Sequence, residues 1–244
     1  MIQAILFDID NTLILFDENP FFEAYITKLI PKFTDIFAPD IFRQRLIGAT
    51  RALLKNQGQT SNVEHYLNHF SRDLIARKQE LWNRFNKFYA TEFDQLRAMV
   101  KVVEGTNRLL STLIDRGFKL VIASNPLWPL SVQLIRLAWA QVDDLPYSHI
   151  THIENTFFCK PQTEYYLDIC KQIDLRPEQC LMVGNDPVND MIAGKTGMKT
   201  YLTTDSQTQD FTSFSLSKEI RHQSHHSLPE PDYRGPLVDM IKLI

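Results

Sequence analysis

The chain has 244 residues, 26 Lys plus Arg against 29 Asp plus Glu, and a formal net charge of −3. That length buries a full core, so one large domain or a core carrying a smaller insert is expected, and the slight acidity argues against a nucleic-acid partner, for which a basic domain is the rule. No run approaches the roughly 18 apolar residues of a spanning helix, no basic, apolar leader precedes the first strand-like segment, and Cys159, Cys170 and Cys180 are odd in number without metal-type spacing. These features predict a cytoplasmic protein with reduced, buried thiols and no membrane partner.

The first predicted element is a strand. Ile2, Ala4, Ile5, Leu6 and Phe7 form an almost unbroken apolar run, the pattern of a strand buried on both faces of a parallel sheet. It ends in Asp8, Asp10, Asn11 and Thr12. Two carboxylates have no structural use there, since desolvating a polar group without a partner costs about 2–7 kcal/mol, and that end of an open α/β sheet is where ligands bind. A bound cation removes the objection. Asp8 is then a candidate nucleophile and Asp10 a candidate general acid and base. A solvated Asp-Asn turn capping a helix is the structural alternative these residue types also suit.

From Asp17 to Leu96 the pattern is helical. Asn19 and Pro20 read as an N-cap and first helical residue, followed by Phe22, Tyr25, Ile26, Leu29 and Ile30 at spacings of three and four, and Pro31 should end or kink that helix. A second helix is expected from Pro39 to Lys55, a turn at Asn56–Thr60 around Gly58, and further helices from Asn62 to Leu96. Leu67, Phe70, Leu74, Leu81, Phe85, Phe88 and Phe93 repeat at helical spacing, which predicts core rather than a ligand-stacking surface. No strand candidate interrupts this stretch, so it reads as a helical unit inserted after the first strand.

From Val102 strands and helices alternate. A helix over Glu104–Arg116 closes at Gly117, which suits a left-handed C-cap. A buried strand over Phe118–Ala123 ends at Ser124, Asn125 and Pro126, and a weaker, more polar strand is expected over His149–Ile153. Lys160 and Pro161 open a helix to Ile173, and strands follow over Gln179–Val183 and Met198–Leu202. This alternation implies a parallel sheet with crossover helices. Asp205–Pro231 reads as a long surface loop before a last helix over Pro236–Ile244. Its His222, His225 and His226 read as solvated residues, because they show no ligand spacing tied to the other candidates.

Asp8 and Asp10, Ser124 with Asn125, Lys160, and the loop VGNDPVND from Val183 to Asp190 all fall at strand ends. This set resembles the haloacid dehalogenase superfamily of hydrolases (HAD). Asp8, Asp10 and Thr12 match its first motif in full, Ser124 after a hydrophobic strand matches the second, Lys160 before Pro161 the third, and the acidic loop the fourth with a departure. The matching segments are residues 1–14 and 100–204. The resemblance implies an α/β fold: a Rossmann-like, doubly wound parallel core over 1–14 and 100–244, with 15–99 as an inserted all-helical cap of the family's first type. It further implies that Asp8 attacks phosphorus to form an aspartyl-phosphate while Asp10 acts as acid and then base. Ser124 would donate to a phosphate oxygen, Lys160 would neutralise nucleophile and phosphate, and Thr12 and Asn125 would bind substrate. Mg²⁺ is the implied cofactor, held by the Asp8 carboxylate, the Asp10 carbonyl and an acid of the fourth motif.

The departure lies in that fourth motif, where the family's commonest form places Asp directly after glycine. Here Gly184 is followed by Asn185 and then Asp186. Either Asn185 supplies a neutral amide oxygen and Asp186 caps a helix before Pro187, or Asp186 is the ligand with Asp190 four residues on along the same face. The second is preferred, because a dication among acids favours a charged ligand. The expected function is a Mg²⁺-dependent phosphomonoesterase for a small phosphorylated metabolite, monomeric or homodimeric, whose cap excludes water. A phosphomutase shares all four motifs, and a non-catalytic binding or regulatory relative is kept in view by the altered fourth motif. A dehalogenase is disfavoured because a departing halide needs no acid at Asp10.

Overall fold

The computed structural model of the chain describes residues 1–206 and 229–244, so His222, His225, His226 and most of the expected loop lie outside the described residues. In chain order the elements are β1 (Ala4–Phe7), β2 (Ile14–Leu15), α1 (Glu18–Leu29), α2 (Pro39–Leu53), α3 (Asn62–Ser71), α4 (Lys78–Thr91), β3 (Lys101–Val102), α5 (Thr106–Asp115), β4 (Lys119–Ile122), α6 (Leu130–Trp139), β5 (Tyr147–Ile150), α7 (Thr163–Ile173), β6 (Cys180–Gly184), β7 (Lys199–Thr203) and β8 (Tyr233–Gly235), with short 3₁₀ segments between several of them. None of the described helices is long and apolar enough to cross a membrane.

The main sheet has the order β5-β4-β1-β6-β7-β8, with every neighbouring pair parallel. Its centre is β1, whose four residues are all buried because alternate side chains feed two different cores. Ile5 and Phe7 join a core with the leucines of α5 and Val132 and Leu137 of α6, while Ala4 and Leu6 join Tyr165, Tyr166, Ile169 and Ile173 of α7. Helices therefore cover both faces, and the fold is the doubly wound Rossmann-like core expected. The chain builds β4 and β5 on one side of β1 and then crosses to build β6, β7 and β8 on the other. Strand order reverses at β1, and a crevice at such a reversal, outside the carboxyl ends, is where α/β sheets bind ligands.

Helices α1–α4 fill the interval between β2 and β3, which pair antiparallel through Ile14–Val102 and Leu15–Lys101, so the helical segment leaves and re-enters side by side. The phenylalanines of its stripe, Phe70, Phe85, Phe88 and Phe93, are core as expected, and Phe70 and Phe85 pack with Phe33 and Phe42, with centroids as close as 4.7 Å. The segment is also hydrogen-bonded to the sheet domain. Asn62, fully buried at the start of α3, donates from Nδ2 to Thr156 Oγ1 (2.8 Å) and to the Phe158 carbonyl (3.1 Å), and its backbone N–H donates to the Thr156 carbonyl (2.9 Å).

Several boundaries differ from expectation for identifiable reasons. Helix α1 starts at Glu18 because Asp17, not Asn19, is the N-cap, its carboxylate accepting from the Asn19 N–H at 3.2 Å. Lys160 and Pro161 precede α7 rather than open it. The polar strand is β5, an edge strand that starts two residues before the expected His149–Ile153 and ends at Ile150; beyond it the Thr151 hydroxyl and the Ile153 N–H bond the Ser124 and Trp128 carbonyls. The last helix is a 3₁₀ segment over Leu237–Lys242, preceded by the unanticipated β8 pairing with β7. Gly117 does close α5 in the left-handed region, at φ 86°. The three cysteines are buried and unpaired.

Candidate active site

At the end of β1 the chain must turn sharply, and Asn11 takes the left-handed conformation (φ 57°) that asparagine tolerates better than most residues. Its amide oxygen accepts from the Phe16 N–H at 3.1 Å and locks the turn. Asp8 sits at the root of that turn, 7% exposed, its N–H bonded to the Val183 carbonyl of β6 at 3.0 Å. Lys160, 1% exposed, reaches in from the segment before α7 and places Nζ 2.9 Å from Asp8 Oδ1 and 2.6 Å from Asp190 Oδ1. Both acids are buried beside a cation, yet burial dominates: it raises the Asp8 carboxyl above the usual carboxylate range, and it pushes Asp190 up to about 7. Burial alone would lower Lys160, but Asp190 and Asp8 hold its amine protonated well above the ordinary lysine range. Lys160 faces two carboxylates, so the site carries one negative charge in excess when both are ionised.

Asp10 projects from the same turn and pairs with Arg136 of α6, a guanidinium that is 2% exposed although its partner is 30% exposed. Arg136 is held from behind by Gln133, whose own amide donates to the Thr151 carbonyl at 2.8 Å. This buried arginine was not among the residues singled out in the sequence. Its one sequence signal is that it is the lone charge on the largely apolar helix stretch LSVQLIRLAW.

In the loop after β6 the two candidate ligands, Asn185 and Asp186, are held differently. Asp186 turns its carboxylate into its own loop, accepting from the N–H groups of Val188 (2.7 Å) and Asn189 (3.1 Å) and from the Asn189 amide (2.9 Å). Asn185 instead places Oδ1 3.3 Å from Thr12 Oγ1, which lies 3.5 Å from Asp8 Oδ2. The structure therefore links Asn185 to Asp8 through the Thr12 hydroxyl and engages the Asp186 carboxylate within its own loop, while Asn185, Asp186 and Asp190 all line the same cavity. Asp190, also expected as a ligand, commits Oδ1 to Lys160 and Oδ2 to the Asp186 N–H at 2.9 Å. Gly184 is required here because a Cβ would overlap the Asp190 carboxylate. Thr12, expected to bind substrate, is fully buried and directs its hydroxyl to Asp8 and Asn185.

A cavity of about 200 Å³ opens onto Asp8, Asp10, Ser124, Asn125, Lys160 and Asn185, so strand ends far apart in sequence share one space. Ser124 is fixed where β4 ends by Thr151 and Tyr165, whose hydroxyls both donate to its carbonyl at 2.8 Å. Asn125 Oδ1 is buried with no hydrogen-bond partner among the described residues. Among those residues no three His, Cys, Asp or Glu side chains form a ready-made metal cage. An oxygen-only donor set of few carboxylates, amide oxygens and surplus negative charge nevertheless fits Mg²⁺, which keeps waters and takes one or two carboxylates rather than a full protein cage.

No curated protein matches the chain in sequence. Among solved structures, an HAD phosphatase from Thermococcus onnurineus is 19% identical with a TM-score of 0.57, the alignment covering 99% of this chain and 97% of that one. An L-2-haloacid dehalogenase from Xanthobacter autotrophicus with chloropropionic acid covalently bound is 15% identical with a TM-score of 0.57, covering 100% and 98%. The Bacillus subtilis HAD-hydrolase-type protein YfnB, bound to magnesium, is 19% identical with a TM-score of 0.53, covering 99% and 98%. At these identities the likeness establishes the fold that phosphatases and dehalogenases share. The family model for haloacid dehalogenase-like hydrolases matches residues 2–197, a span that contains every strand-end residue of the cavity, and the chain belongs to that hydrolase family.

Proposed function

We propose that the protein is a Mg²⁺-dependent phosphomonoesterase acting on a small phosphorylated substrate. The observation that carries this reading is the second carboxylate: Asp10 faces the same cavity as Asp8 and is held there by a buried arginine. A leaving alkoxide needs a proton, whereas a leaving halide does not, so an acid built in at this cost in desolvation favours ester over carbon–halogen cleavage.

In the first step an Asp8 carboxylate oxygen attacks phosphorus, the ester P–O bond breaks, and Asp10, which must enter this step protonated and so released from its ion pair with Arg136, delivers that proton to the departing alcohol oxygen. In the second, Asp10 takes a proton from water as that water attacks the aspartyl-phosphate, releasing phosphate and restoring Asp8. Lys160 neutralises Asp8 and the phosphoryl oxygens as a compact charge, and Ser124 donates its hydroxyl to one of them. When bound by Asp8 and the oxygens of the Asn185–Asp186 loop, Mg²⁺ offsets the charge that the phosphoryl group adds. The helical segment, residues 15–99, serves as the cap that shuts water out.

Phosphate release from p-nitrophenyl phosphate and small phosphate esters, with Mg²⁺ or EDTA, tests the reading, with chloride release from 2-chloropropionate measured in parallel. Metal-dependent phosphate release by the native protein, lost in Asp8→Asn, is the expected result. Chloride release without phosphate release would replace this reading with dehalogenation.

A further inference from the structure

The cavity extends well past the phosphoryl-transfer groups. It runs between the helical segment and the loop after β4, where Phe22, Tyr25, Leu46, Trp82, Tyr89 and Trp128 line it. The wall is a packed aromatic cluster. The Trp128 ring stands edge-on to Tyr25 (4.9 Å, 82°) and to Tyr89 (6.1 Å, 83°), and it lies parallel to Phe22 (6.4 Å, 1°). The Tyr25 and Tyr89 hydroxyls bond each other at 3.0 Å. One of their two hydrogens is used in that bond, so the pair retains one donor to offer a ligand.

Charge narrows the choice of ligand further. Among the described residues Lys160 is the one basic side chain lining the cavity, and it is already bound to two acids. The remaining charged lining is acidic, with Glu18 added to the aspartates at the strand ends. A second anionic group on the substrate would meet ring faces and carboxylates, desolvated and without a counter-charge. An apolar group would meet a dry surface suited to it. A cavity of about 150 Å³ holds benzene, so the volume here is on the scale of a phosphate with one ring or a short alkyl chain.

We propose that the alcohol portion of the substrate is uncharged and largely apolar, of about aromatic-ring size, and that the wall centred on Trp128 is its subsite. This rests on the phosphomonoesterase reading and narrows it to esters with a single charged end.

Benzyl phosphate and 2-phosphoglycolate test it, since both release a primary alcohol and differ in whether the rest of the molecule is a ring or a carboxylate. With Mg²⁺ the native protein should favour benzyl phosphate by about 100-fold in kcat/KM, the factor that burying one aromatic side chain gives. Ile47 lines the cavity from α2 and is only partly buried, so Ile47→Lys can bring an ammonium to the wall on a flexible stem. That variant should lower the preference at least tenfold. Equal or better use of 2-phosphoglycolate by the native protein would overturn the subsite while leaving the phosphatase reading intact. Should the native protein hydrolyse no ester, the phosphatase reading fails, and binding to Asp8→Asn, followed by tryptophan fluorescence, then decides the subsite. Tighter binding of benzyl phosphonate than of 2-phosphoglycolate would keep it, and no preference would overturn it.

Discussion

Arg136 changes what substitution of Asp10 means. A guanidinium this deeply buried is tolerated because a carboxylate faces it, and removing one partner of a buried pair costs about 3–5 kcal/mol since the other charge is left uncompensated. Asp10→Ala is therefore expected to lose about 3 kcal/mol of stability in urea unfolding, while Asp8→Asn, which relieves a site with surplus negative charge, should lose less than about 1 kcal/mol or gain. Equal losses would mean that Arg136 has another counter-ion. Arg136→Lys should keep the stability of the native protein more nearly than its kcat, because an ammonium supplies the charge but not the planar fork that fixes the carboxylate. Asp8, Asp10 and Lys160 were legible in the sequence, since charged residues at the ends of apolar runs have few structural uses. Arg136 was not, because a single arginine on a helix reads as a solvated charge, and only the fold carries α6 beneath the turn after β1. The choice between Asn185 and Asp186 was likewise open, since it depends on which side chain the loop's own N–H groups capture.

Among the elements, strands buried on both faces were legible and short or edge strands were less so. In β8 the sequence Tyr-Arg-Gly has no pattern of its own, and it is a strand because β7 presents an unpaired edge. The α1–α4 segment was legible as helix but not in how it meets the sheet domain, which depends on single polar side chains. Asn62→Leu would leave the Phe158 carbonyl and Thr156 hydroxyl without the amide that now serves them, at a cost of about 2 kcal/mol. Because Cys159 and Lys160 follow directly, kcat should fall with stability. A stability loss with unchanged kcat would mean the two are uncoupled. On the outer face of α4, Glu80 accepts from Arg77 and Arg84 at 2.8–2.9 Å, and these partners lower its pKa to about 2. Its folded value lies below the unfolded one, so the contribution is full above pH 4.5 and is lost as pH falls toward about 2. The melting difference between the native protein and Glu80→Gln should accordingly vanish across that window and shrink in high salt. A difference that persists at pH 2 would place it elsewhere.

At the scale of the molecule, the reversal of strand order at β1 gathers segments distant in the chain at one point. β1 and β6 are neighbours, so Asp8 and Asn185 face each other across two strand ends, and a cation held there would cross-link the centre of the sheet. Binding to the native state alone stabilises it by mass action, about 2.7 kcal/mol at a hundredfold excess over the dissociation constant. For a chain of this size each kcal/mol moves the melting temperature by about 2–4 °C, so saturating Mg²⁺ should raise it by about 5–10 °C. The same titration identifies the loop oxygen. If Asn185 is the ligand, as its place beside Thr12 and Asp8 indicates, Asn185→Ala should abolish the Mg²⁺ shift with little change in the metal-free melt. Asp186→Ala, which removes the acceptor for the Val188 and Asn189 N–H groups, should lower the metal-free melt and keep the shift. The opposite pattern would make Asp186 the ligand, and no shift in the native protein would mean that the charge at the strand ends is met by substrate-side groups rather than by a resident cation.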